Sequence, residues 1–322
     1  MAMGTIQTKG PANIDALLTT TREAILKSGP LLQDAVFNSI PVVRWLRKKT
    51  EEIKQGGASI LVPLLYGKNA TFKAYSADEV IDTPGTEGLT MAQATWRQYG
   101  GTVTLVGGEV RQNGAEKIMD LVKAKTQQAL MSARDAIAID LFASAQVAAK
   151  IHTFPVLVDT TSTVQDINST TSSWWQSQAV ASGAFPGRGL ADMRNLRDLI
   201  IQRGQEAAPA PDGIFTTALV LELYEAGQVA ALRYAPGDAA DPSLKLRFSQ
   251  ATVEFDPNIA TGEMYMLPSE ALRLSVHSDA NFTLGEFKEP TDKDVRSAKL
   301  LWMGNLVTVN RRRLGKLTGI TA

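Results

Sequence analysis

The 322-residue sequence contains no cysteine and only two histidines, His152 and His277. The absence of cysteine excludes disulfides, thiolate metal sites and cysteine nucleophiles. Two histidines are too few for a multi-histidine metal site within one chain. We therefore predict no metal and no other cofactor.

An excess of charge of either sign is also missing. Lys plus Arg and Asp plus Glu both number 33, so the formal net charge is zero. A dedicated nucleic-acid binder normally carries a basic excess. Zero net charge instead lowers the electrostatic barrier between identical copies, which favours self-association.

Long apolar runs are absent as well. No run approaches the ~18 apolar residues of a membrane span, and the beginning of the sequence lacks the charged-then-apolar pattern of a secretory signal. Hydrophobic residues make up 44% and charged residues 20%, which is typical of a globular protein. We therefore expect a protein that is made in a cytosol and has no membrane partner.

Catalytic motifs are scarce. The glycine-rich stretch GGTVTLVGGEV (100–110) has neither phosphate-loop nor dinucleotide-binding spacing. No G-x-S-x-G nucleophile elbow occurs. The Asp256-Pro257-Asn258 sequence indicates a turn, because the regularly spaced oxygen ligands of a calcium loop do not follow it. An α/β enzyme that uses scattered carboxylates remains an alternative interpretation.

What the sequence does contain is one long helical stretch, from Asn113 to about Ala145. After Gly114 it has no glycine or proline, and strong helix formers dominate it. Asn113 with Glu116 three residues later is typical of an N-terminal cap. Apolar residues recur at steps of three and four, which predicts one buried stripe. The alternative is a long core helix of any large α/β protein.

A projecting hairpin is predicted just before this helix. Residues 58–65 and 91–106 have strand-like patterns, and a polar stretch with a Pro84-Gly85 turn separates them. Such a hairpin is only marginally stable alone, so Trp96 and Tyr99 need a partner surface. The alternative is an ordinary hairpin that lies on the body of its own monomer.

The N-terminal region is predicted to be an arm with a short helix at residues 15–27. Pro41 interrupts the apolar and basic stretch 31–54. An apolar cluster follows this proline, and in an extended arm its partner is a neighbouring chain. The cluster consists of Val42, Val43, Trp45 and Leu46.

The second half alternates helices and strands. Residues 154–158 have a strand-like pattern, and the order of elements after residue 184 predicts a compact α/β unit over 184–270. Two later strands, 282–287 and 300–309, are expected to pair antiparallel beside the long helix. Arg311 to Arg313 then end the final strand, with Arg311 and Arg313 on one face. These arginines suit carboxylates of neighbouring subunits or phosphate groups.

The order and spacing of these segments resemble a known family, the tailed-bacteriophage major capsid proteins of the Hong Kong 97-type fold. The stretches that carry the resemblance are LLQDAVFNSIPVV (31–43), GGASILVPLLYGKNATF (56–72), the helix from Asn113, SSWWQS (172–177), PDGIFTT (211–217), and the two parts of the end, GEMYMLPSEALRL (262–274) and LLWMGNLVTVNRRRLGKLTGI (300–320).

This resemblance implies an α+β fold with four parts. They are an N-terminal arm (1–56), an extended β-hairpin loop (57–110), a peripheral domain with the spine helix and an antiparallel sheet (111–183 and 271–322), and an inserted α/β axial domain (184–270). Copies would form hexamers and pentamers of an icosahedral virion shell around double-stranded DNA, assembled in the host cytoplasm. An encapsulin-like compartment with the same fold is the main alternative.

The partners implied are other copies in the same and neighbouring capsomers, a separate scaffolding protein, a portal, a possible decoration protein and DNA held non-specifically on the interior. No catalytic, cofactor-binding or metal residues are predicted. The predicted inter-subunit contacts are Trp45, Tyr66, Trp96, Tyr99, Arg311 and Arg313.

Some members of this family cross-link covalently between a hairpin lysine and an asparagine of a neighbour. The nearest counterparts in this sequence are Lys68 or Lys73 and Asn305 or Asn310. They do not match the motif, so we predict no cross-link.

Overall fold

A computed structural model describes residues 18–23, 40–69, 71–76, 87–112, 115–204, 209–232 and 247–322. The cap predicted at Asn113 and most of the predicted arm lie outside these residues. Residues 18–23 are helical, and Leu18 is buried in the main core.

The helices, numbered along the chain, are α1 (Pro41–Thr50), α2 (Gly107–Gln112), α3 (Ala115–Leu141), α4 (Phe154–Leu157), α5 (Leu190–Gln202) and α6 (Ala218–Leu232). The strands are β1 (Glu51–Lys54), β2 (Ile60–Leu65), β3 (Leu89–Ala94), β4 (Arg97–Val106), β5 (Thr163–Val164), β6 (Ile167–Asn168), β7 (Gln178–Ala181), β8 (Gly213–Thr216), β9 (Arg247–Phe248), β10 (Ala251–Phe255), β11 (Met264–Leu267), β12 (Leu272–Leu284), β13 (Val295–Thr308) and β14 (Gly315–Thr318).

The long helix α3 lies on a four-stranded sheet with the strand order β1-β12-β13-β4. At ~1.5 Å per residue, its 27 residues span roughly 40 Å. Ile118, Val122, Leu130, Ile137 and Leu141 recur at helical spacing and are all buried in the main core. The apolar stripe predicted from the sequence is therefore confirmed, as is the antiparallel pairing of β12 with β13.

A second core lies under a six-stranded sheet with the order β7-β14-β11-β8-β10-β9, which packs against α5 and α6. Four of these strands come from the predicted 184–270 unit. Strands β7 and β14 enter from outside it, and β14 follows Arg313, where no strand was predicted. The two sheets are therefore linked near the end of the chain, where β13 of the first sheet is followed by β14 of the second.

Several predicted elements are wrong. Residues 154–157 form a short helix where a strand was predicted, because Thr153 accepts a hydrogen bond from the backbone N–H of Val156 and Pro155 suits a first helical turn. Pro41 begins helix α1 instead of interrupting one. Val42, Val43 and Leu46 are buried in the chain's own core and need no neighbour.

The prediction of one continuous strand over residues 91–106 is also wrong, because this stretch contains parts of two strands, β3 and β4. Strand β3 pairs with β2, whereas β4 leaves the hairpin after Trp96 and pairs with β13 in the body. The projecting ribbon is therefore β2 and β3 with the segment between them.

Candidate inter-subunit surface

The β2–β3 ribbon turns one face toward its own body. Ile60, Val62 and Leu64 alternate with exposed residues along β2 and are buried. Together with Ala92 and Ala94 of β3, they form a small core against Trp175 and Val307. Because successive side chains of a strand point to opposite faces, the buried alternate residues of β2 anchor one side of the ribbon to the body.

The opposite face of the ribbon is also apolar, but it is exposed. Leu61, Leu65, Leu89 and Met91 are 50%, 62%, 76% and 57% accessible. The register pairs Leu65 with Leu89 and Pro63 with Met91, so these side chains are cross-strand neighbours. A contiguous exposed apolar strip is typical of an interaction surface. We call these five residues the outer face of the ribbon.

Aromatic residues continue this surface beyond β2. Phe72 is 93% accessible and Tyr75 is 60% accessible. Tyr66 is stacked on Trp174 with ring centroids 4.7 Å apart, and 40% of it remains accessible. Tyr66 is therefore the one predicted contact residue that keeps a large accessible area, and it lies on the Trp174 side of the ribbon.

The base of the ribbon is fixed by a tryptophan and two glycines. The Trp96 indole N–H donates to the Gly57 carbonyl over 2.9 Å, and its ring meets His277 edge to face. Gly56 and Gly57 have φ angles of 120° and 122°, which side chains rarely tolerate. Trp96 thus orients the ribbon within its own chain.

Tyr99 lies in the body. Its hydroxyl donates to Asp140 and accepts from the backbone N–H of Ile151, at 2.9 and 3.1 Å. Lys150 forms an ion pair with the same carboxylate at 2.6 Å. Burial and the neighbouring carboxylate raise the pKa of Tyr99 far above its ordinary value. Tyr99 therefore secures the end of α3 to β4.

The remaining three predicted contact residues, Trp45, Arg311 and Arg313, also make contacts within the chain. Trp45 packs edge to face on Phe215 at 5.5 Å. Arg313 donates to Glu270 and to the Pro209 carbonyl, at 3.1 and 2.8 Å.

The predicted ion pair between Arg311 and a carboxylate of a neighbouring subunit is wrong. Its side chain is completely buried, and its guanidinium donates to four backbone carbonyls of residues 156–162. Residues 311–313 form a 3-10 turn after β13 and are not the end of that strand.

The residues of the outer face were missed because the stretch Ile60–Leu65 is apolar at almost every position. Such a run is typical of a strand that is covered on both sides. Among the described residues, only one side of β2 is covered, so its continuous apolar run indicates an external partner for the other side.

Asp256 and His152 are further ionisable groups with little solvent exposure. Asp256 is in a turn after β10 and accepts from Asn258, as predicted for this sequence, and burial raises its pKa. Burial lowers the pKa of His152, whose Nδ1 contacts the Leu306 carbonyl at 2.9 Å. Within the described ranges, no group of three His, Asp or Glu side chains is placed to hold a metal ion.

Of the cross-link candidates, Asn305 is completely buried. Its amide accepts from the backbone N–H of His152 and donates to the Thr95 carbonyl. Lys68 is exposed on the ribbon. The amide of Asn305 is therefore engaged within its own chain. In the described part of the chain, no helix is long and apolar enough to cross a membrane.

Comparison with known proteins gives matches at the level of structure. No protein-family model and no curated protein matches the sequence. A chain of the cyanophage A-1(L) capsid asymmetric unit matches with a TM-score of 0.65 at 10% identity, over 88% of this chain and 93% of that one.

Two further matches agree. A chain of Mycobacterium phage Adephagia has a TM-score of 0.53 at 14% identity, over 86% of this chain and 90% of that one. A chain of the capsid of Myoviridae phage XM1 has a TM-score of 0.51 at 9% identity, over 85% and 91%. The chain therefore has the mixed α+β fold of bacteriophage major capsid proteins, the Hong Kong 97-type fold.

Proposed function

We propose that this chain is a major capsid protein whose copies assemble into the shell of a tailed bacteriophage. The observation that carries the proposal is the exposed outer face of the ribbon, in a chain that has a capsid fold. Full burial of one large apolar side chain contributes ~1.5–3 kcal/mol, before the entropic cost of association. Several such contacts per copy, repeated around a shell, stabilise a large assembly.

In this proposal, three of the four parts expected from the sequence correspond to described elements. The ribbon is the extended loop and lies across a neighbouring copy. Helix α3 and the four-stranded sheet form the peripheral domain, and the six-stranded sheet with α5 and α6 forms the axial domain. Hexamers and pentamers then build an icosahedral shell around DNA, with a separate scaffolding protein, a portal and a decoration protein as partners.

The first prediction concerns the outer face. The double variant Leu65→Lys, Leu89→Lys places two charges in the buried contact, and we expect it to abolish particle formation. Both side chains are more than 60% accessible, so the isolated subunit should keep its unfolding midpoint. Sedimentation and negative-stain microscopy of the expressed protein measure assembly, and urea titration measures the stability of the subunit.

Val106→Lys is the control, because Val106 is 48% accessible and lies outside the ribbon. It should assemble like the unmodified chain. Normal particles from the double variant would contradict the role of the outer face. A discrete monomer or small oligomer from the unmodified chain, expressed with its scaffolding protein, would contradict the capsid function itself.

A further inference from the structure

A tight turn beside the ribbon has a strained backbone conformation. Strands β5 and β6 pair antiparallel with Val164 opposite Ile167, so Gln165 and Asp166 form a two-residue hairpin turn. Their φ angles are 53° and 63°. A hairpin turn with positive φ at both central residues favours Asn-Gly, Asp-Gly or Gly-Gly, and non-glycine residues in this region carry backbone strain. We call Gln165 and Asp166 the 165–166 turn.

Gln165 connects this turn both to the ribbon and to the body. Its backbone carbonyl accepts a hydrogen bond from the N–H of Gln93 in β3 over 3.2 Å. Its side-chain oxygen accepts from the N–H of Thr308, the last residue of β13, over 2.9 Å. Gln165 is only 4% exposed and Thr308 is completely buried, so loss of the second bond leaves a buried N–H without a partner. The neighbouring Val164 carbonyl accepts from the indole of Trp175, which belongs to the small core under the ribbon.

The bond from Gln93 gives the ribbon a second attachment to the body. Strand β3 pairs with β2 along one edge, and within the described residues no strand pairs with its other edge. Gln93 donates from this second edge, because its N–H is directed to the 165–166 turn instead of to β2. The first attachment is the bond from Trp96 to the carbonyl of Gly57, which leads into β2. A ribbon attached on one strand can rotate, whereas attachment on both strands fixes its angle to the body.

We propose that Gln165 is a positioning residue that sets the angle between the ribbon and the body. This inference rests on the proposed function, since the angle of the ribbon determines how its outer face is presented to other copies. The strain of the turn has a further consequence. Opening the 165–166 turn releases that strain, so the attachment opens more readily than the same hydrogen bonds would in an unstrained hairpin.

Two substitutions should shift this attachment in opposite directions. Gln165→Met keeps the length of the side chain but cannot accept from Thr308, so β3 should exchange its amide hydrogens about fivefold faster, the factor that corresponds to one hydrogen bond. Asp166→Gly removes strain at the second position of the turn and should slow the same exchange by about fivefold. Mass spectrometry of the unassembled full-length subunit measures exchange in β3 relative to β12 and β13.

Gln178→Met is the matched control. The side chain of Gln178 donates to the Arg312 carbonyl over 3.2 Å, in the six-stranded sheet. The same replacement there also removes one bond from a side chain to the backbone, and it should leave exchange in β3 unchanged. A merely structural role of Gln165 predicts a different result, in which exchange rises alike in β3, β12 and β13 as the urea midpoint falls.

Assembly provides a second readout. Copies whose ribbons vary in angle should give particles of several diameters or incomplete shells, so Gln165→Met should broaden the diameters seen by negative-stain microscopy, whereas Asp166→Gly should not. Unchanged exchange of β3 in both variants, or Gln165→Met particles as uniform as those of the unmodified chain, would overturn the role of Gln165 and leave the capsid function standing. Failure of the unmodified chain to assemble with its scaffolding protein would instead overturn the capsid function, and the exchange measurement on the subunit would still test the turn.

Discussion

Arg311 is the clearest case in which one side chain organises its surroundings. It is completely buried, and its guanidinium donates to the carbonyls of Val156, Leu157, Asp159 and Ser162 over 2.6–3.0 Å. Burial lowers its pKa to about 10, so it still carries a charge at neutral pH. The five donors of a planar guanidinium suit such a set of carbonyls, whereas a lysine ammonium has only three.

We therefore expect Arg311→Met to lower the free energy of unfolding by ~3 kcal/mol or more, because it leaves several buried carbonyls without donors. Arg311→Lys should recover only part of this loss. Urea unfolding of the unassembled subunit measures both. Arg312→Met is the control, since Arg312 is only partly buried. Equal stability of the methionine variants at 311 and 312 would contradict this role.

Asp159 stabilises the same loop through its carboxylate. Burial disfavours ionisation of Asp159, but the hydrogen bonds from Ser162 and Thr161 outweigh burial and lower its pKa to about 2. An unfolded aspartate titrates near ~3.9. A lowered folded pKa means that the contribution is fully present above about pH 5 and is lost as the pH falls toward 2.

Asp159→Asn should therefore destabilise the subunit by ~1 kcal/mol at pH 7, a value reduced for solvent screening at a partly exposed site. The difference from the unmodified chain should shrink as the pH falls from about 5 toward 2, because the aspartate becomes protonated first in the unfolded and then in the folded state. Urea titrations at several pH values measure it. Asp120→Asn, at a side chain that is 80% accessible, should show neither effect. A difference independent of pH would contradict this explanation.

At the scale of elements, the ribbon depends on the backbone at its base. Gly57 has a φ of 122° and its carbonyl accepts the Trp96 indole N–H. A side chain at such a φ costs on the order of 1–3 kcal/mol of backbone strain. The orientation of the ribbon is thus set by a glycine and a tryptophan that are 39 residues apart.

Gly57→Ala should loosen the ribbon while leaving the body intact. We expect faster hydrogen exchange at the amides of β2 and β3, unchanged exchange in β12 and β13, and a lower yield of particles. Gly183→Ala is the control, because its added Cβ meets no atom within 4 Å and no positive φ is involved. Unchanged protection of β2 and β3 would show that the strain is relieved elsewhere.

Long periodic elements were predicted well, and short or shared ones were not. The spacing of apolar residues in α3 and β13 determines their type, because each buries a single stripe or alternate side chains. Residues 154–157 were mistaken for a strand because Thr153 and Pro155 act through capping, which an apolar run conceals. Strand β14 was missed because only four residues contribute, and its place depends on β7 and β11 on either side.

At the scale of the whole molecule, two sheets with separate cores share one chain, since β14 returns to the second sheet after β13 completes the first. The formal net charge of zero sets no strong electrostatic barrier between copies.

We expect purified particles from infected cells to have a 260/280 nm absorbance ratio dominated by nucleic acid. Particles free of nucleic acid but loaded with one cargo protein would instead identify an encapsulin-like compartment.

The sequence alone determined the composition limits, the helical stripe of α3 and the alternation of the strands, because these follow from local spacing and from residue chemistry. Only the tertiary structure decided which apolar and charged residues lack a partner. Val42, Trp45 and Arg311 find theirs within the chain, whereas the outer face of the ribbon stays exposed among the described residues. Burial is a property of what packs against a residue, and residues distant along the chain supply that packing.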